Sequence, residues 1–280
     1  MSARSRQRRS PPAARPVEPT GLVAGALLDI DGVLHVGMRP VPGAADALKA
    51  LTAHGIAFRF LTNTTTASRA TLGASLREIG LPVRGEELVT APVATADYVR
   101  GRWPGARCYL IAKGDVDRDF AEAGLTVLPD DAAAADVVVI GGAEERLTYE
   151  RMNRAYRLLT GGAHLVAMHR NRAWRTADGM WLDSGPYVTL LEEAAGVQAI
   201  TVGKPSLTFF REALRLLGVP PRRVVMVGDD ARNDLLPARR LGLRTVLVRT
   251  GKPVVEGDEA HADIVLDSIS DLPDAVVRSQ

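Results

Sequence analysis

The stretch ALLDIDGVLH (Ala26 to His35) sets two carboxylates two residues apart at the end of an apolar run. In a strand, side chains alternate faces, so Asp29 and Asp31 point the same way. Like charges side by side repel, and a core strand carries such a pair only for a purpose: a turn, a metal or chemistry. Three further segments supply complementary groups. TNTTT (Thr62 to Thr66) offers the Thr62 hydroxyl, the Asn63 amide and backbone N–H groups. VGKPS (Val202 to Ser206) brings Lys204, and GDDARND (Gly228 to Asp234) adds Asp229, Asp230 and Asp234. Hard oxygen ligands with little else suit Mg²⁺, which binds through one or two carboxylates plus a phosphate. The Lys204 ammonium and the small donors suit anionic oxygens. Together these are the requirements of phosphoryl transfer.

Each segment alone has a plainer role. Asp29 and Asp31 could shape a turn, and Asn63 could turn the chain, with Thr66 or Ser68 capping the next helix. Lys204 could be a solvated loop lysine, and GDDARND could be a turn with an N-cap at Asp230 or Asn233. What chance explains poorly is their joint occurrence, in order, at the ends of candidate strands.

Those strands are Val23–Leu28, Ala57–Leu61, Cys108–Ile111, Val137–Ile140, His164–Met168, Val224–Val227, Thr245–Val248 and Ile264–Leu266. Helical spacing of apolar residues marks Ala45–His54, Ser68–Ile79, Tyr149–Leu159, Tyr187–Ala195 and Leu207–Leu217 between them. Alternation of this kind predicts an α/β fold with parallel sheets covered by helices, whose ligands bind beyond the carboxyl ends of the strands. The runs beginning at 108, 137 and 164 end in AKGD, GGAE and HRNR, which form no set with the others. The pattern therefore predicts a catalytic sheet split in sequence and a second sheet inserted within it.

A chain of 280 residues is long enough for two modest domains. Residues 1–20 hold Arg4, Arg6, Arg8, Arg9 and Arg15 against the single acid Glu18, so the basic excess lies in a tail with nothing to bury. That tail is expected to be disordered and untargeted, because the apolar run after it is short and leads into Asp29. No nucleic-acid partner is expected of the folded part, and no apolar run approaches the ~20 residues of a membrane span. The single Cys108 fits a reducing cytoplasm.

The four chemical segments resemble the motifs of the haloacid dehalogenase (HAD) superfamily of phosphohydrolases: D-x-D-G, a strand-end Thr-Asn, a Lys before Pro, and G-D-x-x-x-x-D. Here they stand as DIDGVL, LTNTT, VGKPS and MVGDDARND. Their spacing is that of the HAD-IIA subgroup, whose C2-type cap lies between the second and third motifs. SGPYVTLLEEAAG and VGKPSLTFFREALRLLGV are similar to the branch containing phospholysine phosphohistidine inorganic pyrophosphate phosphatase, although the mammalian enzyme has Ser where this chain has Asp31. The resemblance implies a doubly wound, Rossmann-like HAD core over 21–93 and 198–273, with an inserted α/β cap over 94–197.

It also implies roles. Asp29 would be the nucleophile that forms an aspartyl-phosphate, and Asp31 the acid and base. Mg²⁺ would be held by the Asp29 carboxylate, the Asp31 backbone carbonyl and Asp229. Thr62, Asn63 and Lys204 would bind the transferring phosphoryl group, with Asp230 and Asp234 in support. The substrate would be a small phosphorylated molecule, and relatives of this type often form homodimers through the cap.

Other readings share parts of this pattern. A phosphomutase keeps the same motifs. A dehalogenase needs neither the acid two residues after the nucleophile nor the metal, so Asp31 and Asp229 speak against it. A non-catalytic phosphoacceptor or ligand-binding regulator of the receiver type is near half this length and lacks a counterpart of Asp31. No G-x-G-x-x-G supports dinucleotide binding. In the insert, His169, Arg170, Arg172, Arg175 and Tyr187 are candidates for substrate contact. If HRNRAWR (His169 to Arg175) faces inward, its arginines favour small substrates with extra negative charge, such as pyrophosphate or sugar phosphates; otherwise it is a solvated basic loop.

Overall fold

The computed structural model describes residues 22–176 and 178–277, and the basic tail lies outside them. A six-stranded sheet forms the core, in the order Ile264–Leu266, Arg244–Val248, Val224–Gly228, Gly25–Asp29, Ala57–Thr62 and Leu88–Thr90, all parallel. Gly25–Asp29 is buried on both faces, which is why its sequence runs apolar without alternation until the first carboxylate. Its neighbours are the two strands that end in the Thr-Asn and Gly-Asp segments. Adjacent parallel strands end together, so the three chemical segments meet at one edge.

Helices cover both faces. Ala44–Ala53, Arg69–Glu78 and Leu272–Val277 pack on one side through Leu48, Leu51, Leu72, Leu76 and Val276. Leu207–Leu217 packs on the other through Phe209, Phe210, Ala213 and Leu217, roughly 1.5–3 kcal/mol for each fully buried large side chain. This helix starts where the Ser206 side chain accepts from the Thr208 N–H, and it stops at Gly218, whose φ of 72° suits a residue without Cβ. Its start holds the lysine segment against the sheet edge.

A second, five-stranded sheet is inserted in the sequence, in the order Ile200–Thr201, His164–Ala167, Val137–Ile140, Arg107–Ile111 and Thr126–Val127, again parallel. Tyr149–Thr160 and Ser184–Ala195 cover one face. The other face shares its apolar cluster with Ala91–Arg102 and the core helix Leu207–Leu217. A hairpin, Ala173–Thr176 with Gly179–Leu182, projects from this unit. Residue 94 falls inside the helix Ala91–Arg102, and the inserted sheet continues past 197 to Thr201.

Candidate active site

The carboxyl edge of the core sheet and the facing edge of the inserted unit enclose a cavity of about 720 Å³. Asp29, Asp31, Asn63, Lys204, Asp229, Asp230 and Asp234 all line it, and Thr62 sits just behind. Asp29 is buried, and its Oδ1 accepts from the Ile30 N–H at 2.8 Å and lies 2.7 Å from Lys204 Nζ. The same ammonium lies 2.8 Å from Oδ1 of Asp234, which is fully buried. Burial alone would lower the Lys204 pKa, but Asp234 and Asp29 beside it hold it well above the ordinary value. The lysine is thus a permanent cation clamped between two acids.

Ligand oxygens of Asp29, Asp229 and Asp234 lie within 4.8 Å of one another. Burial pushes Asp29 up to about 6, with Asp229 adding to the rise and Lys204 opposing it. Asp229 also rises to about 6, through burial and Asp234, and burial with Asp29 takes Asp234 to about 8. This excess of crowded negative charge fits a small, hard divalent cation. The backbone leaves room for it: a methyl group at Gly32 or Gly251 would run into the Asp229 carboxylate, and one at Gly228 into Asp234. Gly32 also has a φ of +84°. The side chain of Asp31 is not in the cluster; it is 61% exposed and faces the cavity.

Asp31 Oδ2 is 3.4 Å from the Thr62 hydroxyl and 3.3 Å from that of Thr64. Its Oδ1 is 3.7 Å from Nε2 of His35, a buried side chain whose Nδ1 has no hydrogen-bond partner. Asp230 caps the turn that follows it, accepting from the N–H groups of Arg232 and Asn233, and receives Lys252 Nζ at 2.6 Å. Burial would raise Asp230, but Lys252 holds it below the ordinary value. The main-chain N–H of Lys252 donates to Asp229 Oδ2 at 2.8 Å. One residue therefore grips the adjacent acids Asp229 and Asp230.

Asn63 has a contact that its sequence did not indicate. Its Nδ2 donates to the Lys204 carbonyl and its Oδ1 accepts from the Lys204 N–H, both at 2.9 Å. These two bonds fix the lysine segment, so the side chain positions Lys204 and keeps one Nδ2 N–H beside the cavity. Of the two alternatives for HRNRAWR, Arg170 and Arg172 follow the solvated loop, while the side chain of Arg175 lies outside the described ones. Arg170 pairs with Glu192 and Thr189 within the inserted unit, Arg172 is exposed, and neither lines the cavity. Tyr187 packs against the inserted unit's own core. His169 does line the cavity. Its Nδ1 accepts from the Asn171 N–H, leaving Nε2 to donate to Thr65 Oγ1 at 3.2 Å, and burial lowers its pKa so that it stays neutral.

His35, Thr64, Thr65 and Lys252 went unread in the sequence. His35 had a signal, since it lies four residues after Asp31 and the turn DGVL brings the two back together. Lys252 had none, because nothing in TGKP announces that it returns to Asp229.

Comparison with known proteins agrees with this geometry. The model described as haloacid dehalogenase-like hydrolase matches residues 26–126, and a second HAD-hydrolase-like model matches 201–272. Haloacid dehalogenase-like hydrolase domain-containing protein 2 of Rattus norvegicus is 39% identical over 231 residues, covering 82% of this chain and 86% of the relative. Phospholysine phosphohistidine inorganic pyrophosphate phosphatase of Homo sapiens is 35% identical over 261 residues, covering 91% and 93%. Among solved structures, the p-nitrophenyl phosphatase from Archaeoglobus fulgidus superposes with a TM-score of 0.83 at 30% identity, over 91% of this chain and all of that one. With four motifs converging on one cavity and relatives that match nearly end to end, the chain belongs to the haloacid dehalogenase-like hydrolases, in their HAD-IIA phosphatase branch.

Proposed function

We propose that this protein is a Mg²⁺-dependent phosphohydrolase that cleaves small phosphorylated molecules through an aspartyl-phosphate on Asp29. The supporting observation is the buried Asp29 carboxylate, held by Lys204 on the cavity floor beside a second buried acid, Asp229. In this reading an Asp29 oxygen attacks phosphorus and the bond to the leaving group breaks. Asp31 gives the departing oxygen a proton, then takes one from the water that attacks the acyl phosphate, and the carboxylate of Asp29 is regenerated. Lys204, the Thr62 hydroxyl and the loop N–H groups hold the transferring oxygens, while Asn63 and Asp234 keep Lys204 in place. Mg²⁺, when bound by Asp29, the Asp31 carbonyl and Asp229, offsets the repulsion between carboxylate and phosphate.

The same proposal divides the chain into a split core and an inserted cap that begins near residue 94 and runs to the strand Ile200–Thr201, four residues beyond the expected 197; the cap excludes water and self-associates as a homodimer. Its home is the cytoplasm, in keeping with the lone, buried Cys108. Among the described residues no helix is long and apolar enough to cross a membrane.

A relative named for p-nitrophenyl phosphate makes that ester the natural probe. Turnover is expected with Mg²⁺, none after exhaustive chelation, and none from Asp29→Asn at any metal concentration. Full activity after chelation, or from Asp29→Asn, would overturn the mechanism.

A further inference from the structure

The cavity has two unlike ends. On the core side sit Lys204, Lys252 and the acids. On the side of the inserted unit, the wall is made by Leu147, Trp174, Leu182, Glu144 and Asp183, with neutral His169 between. The side chains of Arg175 and Thr176 lie outside the described ones; among the described side chains no Lys or Arg from the inserted unit lines it. Arg170 is held by Glu192. Lys113, behind the wall, is shared by two carboxylates, at 2.8 Å from Glu144 and 3.3 Å from Glu145. Glu144 moreover has a φ of +43°, a conformation that costs a non-glycine residue energy and tends to persist at functional sites. Asp183 divides its carboxylate between the N–H of Ser184, at the start of the helix Ser184–Ala195, and the neighbourhood of His169.

A phosphoryl group bound at Lys204 points its leaving group at this wall. A second phosphate or a carboxylate there would meet apolar surface and the carboxylates of Glu144 and Asp183, which is unfavourable in a partly desolvated site. A flat ring would lie against the Trp174 indole and the leucines, and an ammonium on it would meet Glu144 and Asp183. We infer that the leaving-group subsite takes an aromatic group that is neutral or cationic, and discriminates against substrates carrying a second anion. This rests on the phosphatase reading above and names the substrate class for it: small aryl or heteroaryl monophosphates, preferably with an amine. Of the two readings of HRNRAWR, it goes with the solvated basic loop and not with an inward face selecting pyrophosphate or sugar phosphates.

The test compares kcat/KM for three esters of one ring: phosphotyramine, phenyl phosphate and para-carboxyphenyl phosphate, with pyrophosphate as a fourth. The para-carboxylate makes the phenol a better leaving group, so intrinsic reactivity opposes the expected order. Phosphotyramine should exceed para-carboxyphenyl phosphate by about tenfold, a size suited to one charge near two others at the edge of solvent. Glu144→Gln and Asp183→Asn should compress that ratio, mainly through KM; Asn keeps the helix cap. Because the readout is a ratio within one preparation, a partly unfolded variant does not distort it. Trp174→Ala should lower kcat/KM for all three aryl esters relative to ethyl phosphate. Turnover of p-nitrophenyl phosphate that depends on Asp29, together with a flat or inverted order, a preference for pyrophosphate, or charge variants that leave the ratio intact, overturns this subsite and leaves the phosphatase. No turnover of any ester overturns both.

Discussion

At the scale of single residues, Asp29 and Asp31 differ in surroundings as two carboxylates with different tasks should. Asp29 is buried against a cation, whereas Asp31 is exposed to the cavity beside two hydroxyls and an imidazole. Asp31→Asn should therefore lose about 10²–10⁴-fold on alkyl phosphates, whose leaving oxygen needs a proton, and far less on p-nitrophenyl phosphate. His35→Phe should show the same leaving-group dependence at roughly tenfold, since His35 orients Asp31 without touching the reacting atoms. Equal losses on both esters would reduce His35 to packing. Both acids were legible in DIDG, and so was Lys204 before its proline. The imidazole was not, because a histidine in an apolar run has many uses and only the turn geometry brings it to Asp31. Asn63 was legible as a site residue, but its hold on the Lys204 backbone was not, since its sequence neighbours say nothing of the lysine segment that it clasps.

The elements meet at a seam that no local pattern announces. Asp115 of the inserted unit accepts from the N–H and hydroxyl of Ser68 and from the Thr71 hydroxyl, while Asp119 accepts from the Arg69 N–H. Two carboxylates thus sit on the positive end of the core helix Arg69–Glu78. Asp115→Ala should cost about 1–3 kcal/mol in denaturant unfolding, through lost bonds to buried donors. Asp119 behaves oppositely: burial raises it from 3.8 to about 6, so the native state holds its proton more tightly than the unfolded chain. Stability is consequently lost as pH climbs through that window. Asp119→Asn should melt progressively higher than the wild type as pH rises from about 4 to about 7, by up to about 2 kcal/mol. A difference independent of pH would remove Asp119 from the seam's electrostatics. Long elements were readable by period, as in Leu207–Leu217. Ala91–Arg102 was not, since it is buried on several sides and shows no clear stripe. The helix Ser184–Ala195 starts earlier than its period indicated, because Pro186 reads as a breaker yet is tolerated in a first turn. The hairpin that carries Trp174 is exposed on Ala173, Trp174 and Met180–Leu182, so alternation gave no strand signal there.

For the whole molecule, the two-sheet plan followed from which strands end in polar chemistry and which do not, while the division of the cavity between a charged floor and an apolar, acidic wall needed the assembled chain. The floor should respond as a unit to the metal. Asp229→Ala should raise the Mg²⁺ concentration for half-maximal rate by about tenfold or more and lower kcat as well. An unchanged Mg²⁺ dependence would take Asp229 out of the metal set. The central claim is the covalent bond between Asp29 and phosphorus, and rapid acid quench during turnover followed by borohydride reduction tests it most directly, because an acyl phosphate is reduced where a free carboxylate is not. The expected result is homoserine at position 29 in the wild type, dependent on substrate, and unmodified peptide from Asp29→Asn. Turnover without any reducible acyl phosphate at residue 29, or with one at another carboxylate, would contradict it.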